Sequence, residues 1–163
     1  MVKQNKGVTQ ITTLSNRKEF TMNDLQIFSN ENFSELRKIE KENTGDYTGF
    51  FYILEYGDLV KIGYTKNPYQ RVMALKRNAE NYGDLKLGKI ALSIPHTNFS
   101  ENEKKLHKKF SAYRKSGSEL FDLDFQEIIS KVSDIVEYKD ATIQIEKRAD
   151  SFFNGMKNFI LGK

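Results

Sequence analysis

The sequence predicts an α+β, or mixed α/β, domain in which a small central β-sheet begins with a hairpin and is flanked by helices. Two observations lead to this prediction. Short runs rich in β-branched and aromatic residues alternate along the chain with segments whose apolar residues recur at helical spacing. The predicted order between residues 49 and 138 is β-β-α-β-α-β-α, and a C-terminal helix follows.

The hairpin is the clearest local signal. FFYIL at residues 50–54 is a dense aromatic and β-branched run, and LVKIG at residues 59–63 is its return strand. Tyr56, Gly57 and Asp58 between the two runs supply the turn.

Three helices are predicted after the hairpin. The first opens with Asn67 as its N-cap and Pro68 at its first position. The other two each begin at a capping-box pattern, at residues 100–103 and 124–127. The apolar faces of these helices are formed, in chain order, by Val72, Leu75, Ala79, Leu106, Phe110, Tyr113, Ile128, Val132, Ile135 and Val136.

Two more strands are expected between these helices. LKLGKIALSI at residues 85–94 follows a turn at residues 81–84 and ends at Pro95. ELFDL at residues 119–123 follows a turn at residues 116–118 and is short enough for an edge strand.

Two segments flank the predicted domain at residues 49–138. Residues 1–48 are expected to form an arm with one or two short strands near Leu25 and Phe33. Residues 139–163 are predicted to form an amphipathic helix that either docks on its own domain or forms a homodimer. The apolar residues of that helix, which step by four and three, are Ile145, Ala149, Phe152, Met156 and Phe159.

The composition excludes several classes of protein. The chain has no cysteine, so neither disulfides nor thiolate metal sites are available. No apolar run approaches the ~20 residues that a membrane span needs, and the start of the chain lacks the apolar core of a signal peptide. We therefore expect a cytoplasmic protein that makes no membrane contact.

Positive charge is concentrated in the middle of the chain. Between Val60 and Ser118 there are 13 lysines and arginines against four acidic residues, whereas the whole chain has a net charge of only +4. Such a block is expected of a surface that meets phosphates, although a lysine-rich solvated face is the alternative. The cationic residues expected to contact nucleic acid are Lys66, Arg71, Lys76, Arg77, Lys108, Arg114 and Lys115.

Four residues in or beside this block are candidates for chemistry. Tyr52 and Lys61 lie in facing strands of the hairpin, and Gly63 lets a backbone or a ligand come close. Arg71 lies one turn into the first helix, near its positive end, where a guanidinium can grip a phosphate. Glu119 is a carboxylate in a basic setting and suits a divalent cation that is shared with phosphate oxygens.

Each candidate also has a purely structural interpretation. Tyr52 is then a half-buried sheet tyrosine, Lys61 a solvated edge lysine and Arg71 a surface arginine. His107 shares a helical face with Glu103, so a structural histidine is an alternative to a catalytic one.

Taken together, GFFY at residues 49–52, KIG at residues 61–63, Arg71 and Glu119 resemble the GIY-YIG nuclease superfamily, in the branch whose second motif reads KIG. LHKKFSAYRKSGSELFDL is similar to the closing motif of that branch, and the resemblance covers roughly residues 49–123. It implies a metal-dependent endonuclease or nickase that hydrolyses phosphodiester bonds of DNA with Mg²⁺ or Mn²⁺.

The resemblance also implies roles for the four residues. Tyr52 would orient or deprotonate the attacking water, and Lys61 stands where a second tyrosine is usual, where its ammonium would lower the pKa of that water or of Tyr52. Arg71 would hold the scissile phosphate. Glu119 would bind the single metal ion.

The match to the superfamily has departures and further candidates. GFFY replaces the usual GIY pattern, and Gln126 is the nearest counterpart of an asparagine that often follows the metal-binding glutamate. Tyr64 and His107 are further catalytic candidates.

A second resemblance lies upstream. MNDLQIFSNENFSELRKIE at residues 22–40 is similar to the opening of the Bro-N domain of phage antirepressors, which implies a phage or mobile-element origin. Two alternatives to an enzyme therefore stay open: a non-catalytic DNA-binding regulator that uses the same basic face, and a phage accessory protein that binds a partner through residues 139–163.

Overall fold

A five-stranded antiparallel sheet lies between two layers of helices, which confirms the predicted mixed α+β fold. The computed structural model describes residues 17–19, 21–82, 85–139 and 156. The strands are β1 (Arg17–Glu19), β2 (Leu25–Phe28), β3 (Phe50–Tyr56), β4 (Leu59–Thr65), β5 (Leu87–Ser93), β6 (Leu120–Phe121) and β7 (Glu137–Lys139). The helices are α1 (Leu36–Glu42), α2 (Pro68–Tyr82), α3 (Phe99–Lys109) and α4 (Phe125–Ile135).

The strand order of the sheet is β2-β5-β3-β4-β6, so the hairpin of β3 and β4 lies inside it. These two strands pair along all seven residues of each. Gly57 and Asp58 form the connecting turn, and Gly57 has a φ of +57°, a conformation that costs least without a Cβ. The predicted hairpin is confirmed, but Tyr56, predicted in the turn, is the last residue of β3 and pairs with Leu59. β1 and β7 form a separate two-stranded ladder.

Each face of the sheet has its own core, because successive residues of a strand point to opposite sides. Phe51 of β3 packs with Leu106 of α3 and Ile128 of α4. On the other face, which α1 and α2 cover, the packed residues include Phe50, Tyr52, Leu54, Leu36, Val72 and Leu75. The face of each strand residue therefore decides which pair of helices it meets.

Two predicted helix starts are confirmed. α2 begins at Pro68, and Asp124 caps α4 by accepting a hydrogen bond of 3.1 Å from the backbone N–H of Glu127. The side chain of Glu127 pairs with Lys131 at 2.8 Å, one turn further along the helix.

The start and the extent predicted for α3 are wrong. The helix begins at Phe99 rather than at a capping box over residues 100–103, and its N-cap, Asn98, makes no side-chain cap. The amide of Asn98 instead donates to the carbonyl of Glu137 at 2.7 Å, because β7 passes beside the helix start. Tyr113, predicted on the same helical face, lies beyond the end of α3 in a short 3₁₀ turn.

Upstream of residue 49 the structure is partly as predicted. β2 confirms a strand at Leu25, and it pairs with β5 at the edge of the sheet. Phe33 is not in a strand but in a 3₁₀ turn that leads into α1, a helix that the sequence did not predict. α1 is short and packs against α2, so its formation depends on tertiary contact more than on a long periodic pattern.

The described residues do not include most of the two termini. The predicted arm over residues 1–16 lies outside them, and so does the C-terminal helix apart from Lys139 and Met156. Within the described part of the chain, no helix is long and apolar enough to cross a membrane.

A buried polar network joins the start of α3 to β7. His96 and Asn102 are both fully buried, and the Nδ1–H of His96 donates to the carbonyl of Ile94 at 2.8 Å. Its Nε2 therefore accepts from the Asn102 amide at 3.0 Å. The Asn102 amide group also donates to the carbonyl of Glu137, and the Asn102 side-chain oxygen accepts from the Glu137 N–H. Every side-chain polar atom of His96 and Asn102 therefore has a hydrogen-bond partner.

Candidate active site

The hairpin presents Tyr52 and Lys61 on the face that α2 covers. Tyr52 lies opposite Gly63, and Lys61 lies opposite Leu54. Directly opposed residues project to the same side of an antiparallel pair, and alternate residues of one strand do as well. Tyr52 and Lys61 are therefore neighbours on one face, as the sequence predicts.

Gly63 is needed because the tyrosine ring lies across it. A Cβ at this position would collide with the hydroxyl oxygen and the ring of Tyr52. The close approach predicted at Gly63 is therefore made by a side chain of the protein itself, and it brings the phenol to the α2 side of β4.

Tyr52 and Arg71 form the first pair of the site. Arg71 is the fourth residue of α2, and its Nε donates a hydrogen bond of 3.2 Å to the Tyr52 hydroxyl oxygen. Burial raises the pKa of Tyr52 even though Arg71 opposes that shift. The phenol is thus protonated at neutral pH, and since its oxygen accepts from Arg71, its own proton is available for donation.

Lys61 and Glu119 form the second pair. The Lys61 ammonium donates to Oε2 of Glu119, and this contact lowers the pKa of the carboxyl. Glu119 directly precedes β6, whose Leu120 pairs with Lys61, so the strand pairing places the carboxylate beside the ammonium. The Lys61 side chain is 11% exposed and that of Glu119 is 64% exposed, so the pair presents its carboxylate to solvent.

Electrostatic interactions link the two pairs. The hydrogen bond with Tyr52 is the main cause of the raised pKa of Arg71, and the charge of Glu119 adds to it. In return, Arg71 adds to the lowering of the Glu119 pKa that Lys61 causes. The negative charge of Glu119 also helps to raise the pKa of Tyr52, in addition to the larger effect of burial. The structure therefore brings Tyr52, Lys61, Arg71 and Glu119 together, although the cation on the Tyr52 hydroxyl is Arg71 and not Lys61.

The N-terminal end of α2 already holds an anion. Glu40 of α1 accepts hydrogen bonds of 3.1 Å from both the backbone N–H and the side-chain amide of Gln70. A carboxylate from the preceding helix therefore occupies one N–H group at this helix end, while the guanidinium of Arg71 stays exposed beside it.

Neither of the two further catalytic candidates lies in the cluster of four. The Nε2–H of His107 donates to the Glu103 carboxylate at 2.9 Å and to the carbonyl of Ile62 at 3.0 Å, since both partners only accept. The bond to Glu103 raises the pKa of His107. Tyr64 is half exposed on the opposite face of β4, where its ring packs on Phe99 at a centroid distance of 5.7 Å.

The cationic residues predicted to contact nucleic acid lie on several surfaces. Lys76 and Arg77 line a shallow groove along α2, and Lys108 lines another between α3 and α4. Lys66, Arg114 and Lys115 are exposed in the loops after β4 and before β6. Lys66 donates to the backbone carbonyl of Asp46 at 2.6 Å, and Arg114 donates to that of Ser118 at 2.8 Å.

The donor set at the site fits a hard divalent cation that keeps most of its water. Glu119 supplies one exposed carboxylate, which is the number of protein ligands that Mg²⁺ often uses beside phosphate oxygens. Within the described residues there is no group of three histidine or acidic side chains that would form an all-protein metal cage. A metal ion held by Glu119 would therefore take its remaining ligands from water and from oxygens of the substrate.

Sequence reasoning missed the residues that support the site from other elements. Glu40 reaches α2 from a helix that was not predicted, and Arg37 places its guanidinium over the Tyr69 ring at 4.5 Å. The network of His96 and Asn102 was missed too. A six-residue spacing carries no periodic signal, so nothing in the sequence pattern would have paired those two residues.

Comparison with known protein families matches the T5orf172 domain at residues 49–137, which is more than half of the chain. The chain belongs to the T5orf172 domain family. This is a nuclease-type domain, and nucleic acid is the partner that such a domain implies. The T5orf172 domain spans all four residues of the candidate site, while α1 and β2 precede it. Comparisons with curated proteins and with solved structures gave no match.

Adding a methyl group at Gly63 should disturb the site through Tyr52. Gly63→Ala is expected to lower the free energy of unfolding by about 1–3 kcal/mol, the usual cost of forcing an extra group into packed structure. Chemical denaturation measures this cost. In a Tyr52→Ala background the ring is gone, so the same substitution should cost much less. An equal cost in both backgrounds would contradict the contact.

The two histidines should affect stability with opposite dependence on pH. Burial lowers the pKa of His96 in the folded protein. On acidification, His96 therefore takes up a proton in the unfolded chain before it does in the folded one, and stability falls as the pH drops below ~6.5. One such proton accounts for at most about 1.4 kcal/mol per pH unit. Glu103 raises the pKa of His107, so its contribution is present at low pH and is lost as the pH rises through the folded-state pKa.

Urea denaturation of two variants at pH 7 and pH 5 separates these contributions. His107→Gln should show a steeper loss of stability on acidification than the wild type, because His96 is then the only histidine and its opposing partner is gone. His96→Gln should lose that acid sensitivity. The assignment fails if the stability of His107→Gln is the same at both pH values.

Proposed function

We propose that the protein is a metal-dependent endonuclease, or a nickase, that hydrolyses phosphodiester bonds of DNA. The observation that carries the proposal is the pairing of Tyr52 with Arg71 and of Lys61 with Glu119 on one face of a nuclease-type domain. A phenol, two cations and a carboxylate are the groups needed to bind a phosphodiester and to direct water onto its phosphorus.

Arg71 is the group that would bind the scissile phosphate. Its guanidinium is exposed, and only its Nε is used by Tyr52, so its two terminal nitrogens can make two parallel hydrogen bonds to phosphate oxygens. Charge that develops on those oxygens in the transition state would be stabilised by the same group. The tyrosine fixes the orientation of the arginine before the substrate arrives.

Tyr52 would orient the attacking water rather than remove its proton. Burial holds its pKa above the ordinary value, so the phenolate is scarce at neutral pH. The hydroxyl instead contributes a directed O–H, because its oxygen is already engaged by Arg71. This refines the role that the resemblance implied.

Glu119 would hold the metal, Mg²⁺ or Mn²⁺, with Lys61 beside it. When bound, such an ion stabilises negative charge on the leaving oxygen. Lys61 keeps the carboxylate ionised, since its ammonium lowers the pKa of Glu119. The lysine is almost buried and cannot swing far, so it also fixes where the carboxylate lies.

A non-catalytic DNA-binding regulator is the second candidate. It is favoured by one observation: all four side chains already have a partner within the protein, as in a site that binds without reacting.

The narrower assignments also stay proposals: the KIG branch, the Bro-N-like start, a phage or mobile-element origin, a cytoplasmic location in a bacterial host, an accessory role, and a homodimer through residues 139–163.

Glu119→Gln should separate cleavage from binding. We expect plasmid nicking or linearisation in Mg²⁺ or Mn²⁺ to be lost, because the amide is a poor ligand for a hard cation. DNA affinity, measured without metal, should stay near the wild-type value or rise, since a negative charge is removed and Lys61 is released. Asp122→Asn, which removes an exposed carboxylate three residues away, serves as the control. Normal cleavage by Glu119→Gln would show that the metal assignment is wrong.

Arg71→Ala should weaken both binding and cleavage. Loss of a charged hydrogen bond to phosphate is expected to cost about 1–3 kcal/mol of binding free energy. Fluorescence anisotropy with labelled duplex DNA at fixed salt gives this value. Arg77→Ala, six residues further along the same helix, removes the same charge outside the cluster and should cost less. Equal losses of binding free energy in the two variants would mean that Arg71 contributes only through its positive charge and makes no specific contact with the phosphate.

A further inference from the structure

A groove between α3 and α4 lies on the side of the sheet away from Tyr52 and Arg71. Its volume is about 830 Å³, and four of the residues that line it are lysines. Three of them, Lys105, Lys108 and Lys109, come from α3, and Lys131 comes from α4. Asp134 is the one carboxylate in this lining, so the groove is strongly cationic.

Most of this charge is uncompensated in the described part of the chain. Lys105, Lys108 and Lys109 form no ion pair there, whereas Lys131 pairs with Glu127 at 2.8 Å. Spacings of three and four residues place the α3 lysines on one side of the helix, where like charges repel each other. An anionic ligand with several charges would relieve this repulsion, and a chain of phosphates has that form.

The groove also offers an exposed aromatic ring. Tyr113 is 49% exposed, although its neighbour Phe110 is buried and, with the partly buried Ile135, forms an apolar floor. Aromatic rings beside a cationic groove are the platforms on which unpaired bases stack. In a duplex the bases already stack on one another, so such a ring favours a single strand.

The backbone connects this groove to the candidate site. Asp122 donates its N–H to the carbonyl of Tyr113 at 2.8 Å, and Lys115 donates to that of Leu120 at 2.9 Å. These bonds join Tyr113 to the segment that carries Glu119, with Gly117 at a φ of +71° in the turn between them. The groove residue Tyr113 and the carboxylate of Glu119 are therefore held by one hydrogen-bonded segment, residues 113–122.

We propose that the groove between α3 and α4 binds single-stranded nucleic acid, with its phosphates on the lysines and a base on Tyr113. This proposal rests on the proposed function, because it assumes that the substrate is nucleic acid. It narrows the substrate class to nucleic acid with a single-stranded segment. The preferred substrate then carries an unpaired segment next to the bond that is cut, as a flap or a branch does.

Binding of a fluorescein-labelled 12-nucleotide oligothymidylate tests the proposal. The measurement uses anisotropy with the full chain in EDTA, so that no cleavage interferes. Lys105→Ala with Lys109→Ala should lower the affinity about tenfold and reduce the salt slope by ~1.4, since each lost phosphate contact on a single strand removes ~0.7. Tyr113→Ala should lower it about tenfold as well, while Tyr113→Phe keeps the ring and the affinity.

The matched control is Lys41→Ala with Lys89→Ala, which removes two exposed lysines from α1 and β5. The proposal is overturned if this control loses as much affinity as the groove variant, or if Tyr113→Ala binds as the wild type does. It is also overturned if polyglutamate displaces the oligonucleotide at an equal charge concentration, because the groove would then be a site for acidic peptides.

The assay separates this inference from the proposed endonuclease. If the wild type cuts no DNA in Mg²⁺ or Mn²⁺ but the groove variants lose oligothymidylate binding as expected, the groove assignment stands and the endonuclease fails. If the wild type cuts DNA while the groove variants bind oligothymidylate normally, the endonuclease stands and the groove assignment fails.

Discussion

The contact of the Tyr52 ring with Gly63 is the constraint on which the candidate site depends. The ring crosses from β3 to β4 because the facing residue has no side chain, and this brings the hydroxyl to Arg71. The two-residue turn at Gly57 and Asp58 fixes the register that makes the two residues face each other. A slip of one residue would send Lys61 to the opposite face, away from Glu119.

Charge is arranged around this contact before any substrate is present. The exposed Arg71 is hydrogen-bonded to the phenol, and the buried Lys61 is paired with Glu119. The charge of Glu119 also acts on Arg71 and on Tyr52. Because each group is hydrogen-bonded to another element, little side-chain freedom remains to be lost on binding. This is the condition under which fixed charges are most effective at a phosphate.

The sequence predicted the elements that depend on local signals. The hairpin, the start of α2 at Pro68 and the cap at Asp124 each follow from turn or cap chemistry that short stretches specify. The residues of the site were found through motif spacing, and their approach to one another follows from the hairpin register. Which of these residues contact each other was harder to predict. Lys61 pairs with Glu119 and Arg71 with Tyr52, and these pairings depend on how the helix and strands pack together.

The misses have a common physical origin in contacts between distant segments. α1 is a seven-residue helix that packs on α2, and it has no strong periodic pattern of its own. α3 was predicted to start at a capping box over residues 100–103, but it begins at Phe99 without a side-chain cap, because the amide of Asn98 donates to the carbonyl of Glu137 in β7. In both places tertiary contact replaced a local rule.

The T5orf172 domain begins at residue 49, but its strand β5 pairs with β2, which lies upstream of that residue. A fragment cut at residues 49–137 would keep all four residues of the site but lose β2, and the outer edge of β5 would become an open row of backbone donors and acceptors. Such an edge is a template for strand addition between molecules. In the longer chain β2 covers this edge, and a fragment without β2 is expected to self-associate more readily.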